Sequence, residues 1–173
     1  QASTFVRGGE QLIRNACRRG EAWSWDGVDF RWVHPGDVRY QRDNDSSCVL
    51  LVSAGGSTAL VTGDIEAEAE RDMARDGALV PVDIVIVPHH GSRTSSTQDF
   101  VTASRPRWAV YAVGYRNRWN FPVRRVVERW EQAGARGVRT SASGAITFEL
   151  APGRVLAQPI EWRREHPRPW RDP

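Results

Sequence analysis

Lysine is absent from this chain, and all 24 of its basic residues are arginine. Cysteine occurs twice, methionine once and histidine four times. No apolar run approaches the ~18 residues that a membrane-spanning helix needs, which excludes such a helix. The two cysteines, Cys17 and Cys48, do not form a metal-ligand spacing, which excludes a cysteine-based metal site. Cys48 lies against an apolar run and reads as a core residue on a strand; a disulfide to Cys17 stays open. No signal peptide opens the sequence, and it starts at Gln1 without methionine. A soluble fragment or processed product of a longer protein is therefore expected.

What is present fits one α/β (α+β) domain. At 173 residues with 40% hydrophobic and 26% charged side chains, the chain is ordinary for a globular protein. A domain of this size removes about 70% of its unfolded surface on folding. Net charge is only +3, but arginines gather at 116–125, 129–139 and 163–171. Guanidinium forks match phosphate oxygens, so nucleic acid is a reasonable partner, although composition alone is explained more readily by a solvated surface. There are no internal repeats, and no linker is long enough to divide the chain. Residues 1–157 read as the domain, and 158–173 as a basic tail too rich in proline and charge to pack regularly.

In chain order, residues 8–19 read as a short helix with Leu12, Ile13, Ala16 and Cys17 inward, ended at Gly20. Glu21 to Trp25 lead into a turn at Asp26-Gly27, and Val28–Trp32 alternates as a strand. His34, before a proline, reads as a surface or turn-stabilising residue. The polar run 40–47 is a loop, in which Asn44, Asp45, Ser46 and Ser47 either bond the backbone locally or line a site. Cys48–Ser53 and Ser57–Thr62 are strands joined at Ala54-Gly55-Gly56. Ser95, Ser96 and Thr97 offer caps to a helix that must stop before Pro106. Trp108–Val113 is a strand, followed by the loop 115–121 and a helix opened by Pro122, with Val123, Val126, Val127 and Trp130 as its apolar face. Val138–Thr140 and Ala145–Leu150 are expected to close as a hairpin, with a further strand at Arg154–Ala157. His166, in the tail, is not expected to ligate a metal.

The chemistry concentrates between Leu60 and Ser96. Leu60-Val61 end an apolar run, Thr62-Gly63-Asp64 leave it, helix 65–76 follows, and Gly77 stops it. Asp83–Val87 is a β-branched strand ended by Pro88, which delivers His89 and His90 at its tip. Strand–helix–strand units place their strands side by side and parallel, so Asp64 and the histidines should meet at one sheet edge. A carboxylate and an imidazole meeting there suit a divalent metal. The same residues admit a plainer account, with Asp64 capping helix 65–76 and the histidines bonding locally at a strand end.

The motifs TGDIE and DIVIVPHHGS, with NDSS at 44–47 upstream and GYRNRW at 114–119 downstream, resemble the second half of a metallo-β-lactamase-fold domain. The resemblance covers roughly residues 15–150. It is to the carboxy-terminal domain of the ComEC family, competence proteins that pass DNA across the inner membrane. It implies one half of a four-layer αββα sandwich, and a parent inner-membrane protein with this domain on the periplasmic or extracytoplasmic side. It also implies a divalent metal, zinc or manganese, with Asp64 bridging and a histidine of 89–90 as the next ligand. The partners it implies are DNA, single-stranded in the first instance, the upstream half of the same domain and a membrane channel region. No small-molecule cofactor is implied.

Two departures qualify the match. The family's H-x-H-x-D-H cluster has no counterpart here, so this chain alone is expected to be inactive. Where related sequences read Gly-His-Pro, this one has Asn120-Phe121-Pro122. Asp64 and His89 are the candidate catalytic residues, and Asp64, His89 and His90 the candidate metal ligands. Ser92, Arg93, Tyr115, Arg116, Asn117, Arg118 and Trp119 are the candidate DNA contacts. Three functions stay open: a metal-dependent nuclease or phosphodiesterase, a metal-free arginine-rich module that guides a strand, and a hydrolase of small esters or phosphorylcholine-type substrates. Aromatics beside arginines favour the first two, because single strands are held that way.

Overall fold

Short runs of β-branched and aromatic residues assemble into a seven-stranded mixed sheet, ordered β3-β4-β5-β6-β7-β8-β9. The computed structural model describes residues 4–7, 10–13, 17–150 and 157–167. Strands β3 (Ala22–Trp25), β4 (Val28–His34), β5 (Val49–Ala54) and β6 (Ser57–Val61) form an antiparallel meander. From β6 onward, β7 (Ile84–Ile86), β8 (Trp108–Tyr111) and β9 (Arg136–Arg139) add in parallel. The crossovers carry α1 (Ala67–Arg75), α2 (Gln98–Ser104) and α3 (Arg124–Gln132).

Alternation decides which side each strand residue serves. Val49, Leu51, Leu60, Val85, Ala109 and Tyr111 face the helices, where Ala69, Met73, Phe100, Val126 and Trp130 complete the main core. The opposite face carries Phe30, Val52, Ala59, Ile84, Trp108 and Val110, as the strand register requires. Ile146, Phe148 and Leu150 pack against its β7–β9 side. Among the described residues its β3–β6 side stays open, with Trp23, Trp25 and Val61 exposed.

Several expectations give way here. Residues 10–13 are not helical: β2 (Glu10–Ile13) pairs antiparallel with β1 (Thr4–Arg7), and a partner strand upstream outweighs helical spacing over so short a run. The remainder of the expected helix, at 8–9 and 14–16, lies outside the described residues. The closing hairpin does not form. Instead, among the described residues, β9 pairs only with β8, and a helical turn α4 (Thr140–Ser143) leads to β10 (Ile146–Thr147), which pairs with β11 (Ile160–Glu161). The tail is thus drawn into the fold as β11 and α5 (Trp162–Glu165), anchored by buried Glu161, which accepts a hydrogen bond from Ser143. Most of the expected strand at 154–157 lies outside the described residues. His166 stacks on Trp162 at 3.7 Å.

His34 is buried, not superficial: its ring donates to the Asp45 carbonyl at 2.7 Å, and it packs on Tyr40. Burial holds its pKa below the ordinary imidazole value. Helix α3 starts two residues after Pro122, with Val123 at its amino cap.

Cys48 is exposed just before β5 and joined to Cys17 by a disulfide spanning 31 residues. Closing a loop of that length should contribute about 3–4 kcal/mol through the unfolded state. Urea melts with and without dithiothreitol should differ by that amount. Coincident melts would show that the bond constrains nothing.

Candidate functional site

Parallel pairing of β6 with β7 brings Asp64 and the histidine turn to the same carboxyl edge. The turn is tight. His89 and His90 both adopt left-handed backbone, with φ of +46° and +57°, a conformation that non-glycine residues take up at a cost and that clusters at functional sites. Gly91 follows at φ +82°, and a Cβ there would lie 2.6 Å from the Cβ of Pro122, so the third position of HHGS has to be glycine.

His90 meets Asp64, with Nε2 3.6 Å from Oδ1. Its Nδ1–H donates to the Ala112 carbonyl at 2.7 Å, which leaves Nε2 as the nitrogen beside the aspartate. Such a fixed tautomer is the outer-shell arrangement of metal-ligating histidines. Asp64 does not cap α1. That role belongs to buried Asp45, whose Oδ1 accepts from the backbone N–H of Glu66 at 2.8 Å and of Ala69 at 3.2 Å. Ser47 Oγ accepts the Asp64 N–H at 3.3 Å, so the NDSS run both bonds locally and braces the edge.

His89 pairs differently. Its Nδ1 lies 3.2 Å from Glu66 Oε1, yet off the line of a hydrogen bond, so this buried nitrogen has no hydrogen-bond partner. Glu66 is itself buried, held by an ion pair with Arg42 and a 3.2 Å bond from Asn44. Burial opposes its charge, but the hydrogen bonds from Arg42 and Asn44 and the Arg42 charge outweigh that and hold its pKa below the ordinary carboxylate value. Sequence alone does not single out Arg42 and Glu66; the only signal is a second carboxylate two residues after Asp64 in TGDIE.

The remaining expected contacts divide. Ser92 is buried and bonded to Thr94 at 3.0 Å, whereas Arg93 is exposed. Asn117 is occupied in shaping its loop: its amide donates to the Phe121 carbonyl at 2.8 Å and its oxygen accepts the Phe121 N–H at 2.9 Å. Tyr115 and Trp119 are exposed, with Arg116 over the tyrosine ring at 5.1 Å and Arg118 over the indole at 4.3 Å. Trp119 stacks on Phe121, whose ring meets His89 edge-on at 5.9 Å. Phe121 thus joins the aromatic loop to the histidine turn.

Among the described residues, no three His, Cys, Asp or Glu side chains converge as a metal centre. Asp64 and His90 suit a divalent ion as part of a set. A zinc site takes about four donors, so two must be supplemented from elsewhere.

No family model matches the chain. Curated relatives do. Competence protein ComA of Neisseria gonorrhoeae is 40% identical over 139 residues, which is 80% of this chain and 20% of that protein. Recombination protein 2 of Haemophilus influenzae is 35% identical over 145 residues, 84% of this chain and 18% of that protein. ComE operon protein 3 of Bacillus subtilis is 28% identical over 139 residues, 80% of this chain and 18% of that protein. The chain therefore spans about a fifth of the length of the competence and recombination proteins that it resembles.

Proposed function

We propose that this chain is the carboxy-terminal portion of a metallo-β-lactamase-like domain in a DNA-uptake protein of the ComEC kind, where it acts on or guides DNA. The observation that carries the reading is the Asp64–His90 pair, 3.6 Å apart at the carboxyl edge of parallel strands. The relatives named for competence supply the biological context. Asp64 and His90 would hold a divalent ion, zinc or manganese, which when bound lowers the pKa of water and stabilises charge developing on phosphate. Glu66, fixed by Arg42, lies 3.2 Å from His89 beside the pair. Tyr115 and Trp119 offer flat surfaces for unstacked bases.

The open apolar face across β3–β6 supports the sandwich architecture. Its exposed tryptophans suit burial against a second sheet, which the upstream half of the domain would provide. Among the described residues, no helix is long and apolar enough to cross a membrane. The Cys17–Cys48 disulfide supports an oxidising compartment outside the cytoplasm for this domain. A metal-free guiding module is the second reading, favoured by the two-donor set.

The test is cleavage of single-stranded DNA by a polypeptide carrying this chain with its upstream sequence. Manganese-dependent cleavage should be lost in Asp64→Ala while DNA binding persists. Cleavage unaffected by Asp64→Ala would defeat the proposal, and DNA binding without any cleavage would favour the guiding module.

A further inference from the structure

Beside the histidine turn, on the helical side, lies a solvent-open cleft of about 450 Å³. That size falls in the ~300–1,000 Å³ range of ligand sites. Four arginines line it: Arg42 before β5, Arg71 on α1, Arg93 after the histidines and Arg129 on α3. The one carboxylate on its wall is Asp99. The four guanidiniums come from separate parts of the chain, so the tertiary fold gathers them, and no local run of charge accounts for their meeting.

Two of the four are fixed and two are free. Arg42 is tied to Glu66, and Arg129 donates to the Ser96 carbonyl. Among the described residues, Arg71 and Arg93 make no hydrogen bond or ion pair, and both are exposed. Cations that line one hollow with a single carboxylate among them favour the entry of an anion. Guanidinium forks are shaped for phosphate oxygens. The lining offers no aromatic ring, so the cleft can take the backbone of a strand but cannot stack its bases. It does not contain the Asp64–His90 pair but adjoins it through Arg42, Glu66 and His89, whose contacts run in series.

Resting on the DNA reading above, we propose that this cleft binds phosphodiester groups of a single strand independently of sequence and feeds the strand to the Asp64–His90 edge. The aromatic loop 115–121 then receives the bases on the far side of the histidine turn. Backbone contact and base stacking are thereby divided between two surfaces.

The experiment is fluorescence anisotropy of a labelled single-stranded oligonucleotide with the 173-residue chain over a salt series. It compares Arg71→Glu, Arg93→Glu and the double variant with Trp119→Ala, and circular dichroism checks each fold. Each reversal should weaken binding about 10-fold, and the slope of log affinity against log salt should fall by roughly 0.7 for each phosphate no longer neutralised. Oligonucleotides of different sequence should respond alike. If Trp119→Ala weakens binding while both reversals leave it intact, the cleft proposal fails and the DNA reading stands. Absence of binding by the unsubstituted chain at low salt overturns both. Inorganic phosphate binding as tightly as the strand, or polyglutamate competing as well as DNA at equal charge, also overturns the cleft as a strand site.

Discussion

Replacing Glu70 by alanine is expected to destabilise the fold by about 2–4 kcal/mol near pH 5.5, because it leaves two backbone donors without acceptors. Glu70 is fully buried on the inner side of α1, and its two oxygens accept the N–H groups of Ser96 at 2.5 Å and Thr97 at 2.6 Å. Ser96 sits at φ +60° and is gripped from α3 as well: Trp130 donates to its hydroxyl at 3.1 Å and Arg129 to its carbonyl. One carboxyl group therefore ties α1 to the loop that opens α2 and, through Ser96, to α3. Without it the loop that follows the histidines loses its brace.

The loss should depend on pH. Burial pushes the Glu70 pKa up to about 7, from an ordinary carboxyl value near 4.5, against the opposing pull of the Thr97 and Ser96 hydrogen bonds and the Arg129 charge. A carboxyl raised in the folded state favours folding while it is protonated. Its contribution is complete below the unfolded value and is lost as pH rises through about 7. The alanine penalty should therefore shrink by about 1–3 kcal/mol between pH 5.5 and pH 8. His34 works in the opposite direction over the same window, since burial lowers its pKa and acidification costs stability. The informative quantity is the difference between wild type and variant in denaturant melts at each pH, which cancels the His34 effect. An identical loss at both pH values would mean that Glu70 stays ionised throughout.

The β6–α1–β7 unit was legible because its signals are local. A β-branched strand, a glycine-stopped helix and a proline-ended strand together dictate a parallel crossover, and that crossover carried Asp64 to His90. The Gly55-Gly56 turn likewise pinned the register of β5 on β6, with Ala54 opposite Ser57. What was missed depends on partners remote in sequence. Asp45 caps a helix 21 residues further on, and Arg42 reaches Glu66 across 24 residues. β10 waits for Glu161 before it has a strand to pair with. A short run such as Gln11-Leu12-Ile13 suits either periodicity, and only the strand beside it decides between them. Proline and charge in the tail suggested irregularity, because nothing local reveals that Ser143 will receive Glu161.

In a polypeptide that includes the upstream sequence, Asp64→Ala and His90→Ala should each lower manganese or zinc affinity by more than about 100-fold, beyond the 10–100-fold typical of residues that only orient a ligand. Glu66→Ala should lower affinity by less than about 10-fold, below that orienting range, because Glu66 touches His89 and not the Asp64–His90 pair. In the isolated 173-residue chain the same substitutions should change little, since two donors of about four bind weakly to begin with. The geometry also ranks the histidines. His90 has its Nδ1–H committed to the Ala112 carbonyl and its Nε2 beside Asp64, whereas His89 has no nitrogen beside Asp64 and its Nδ1 lies 3.2 Å from Glu66. His90→Ala should therefore cost more affinity than His89→Ala. Calorimetric titration of the four variants in both polypeptides provides the test. One tight, stoichiometric site on the isolated chain would show that the donors are already sufficient. A larger loss from His89→Ala than from His90→Ala would move the ligand role to the half-buried His89 imidazole, and Glu66 would then be the carboxylate that orients it.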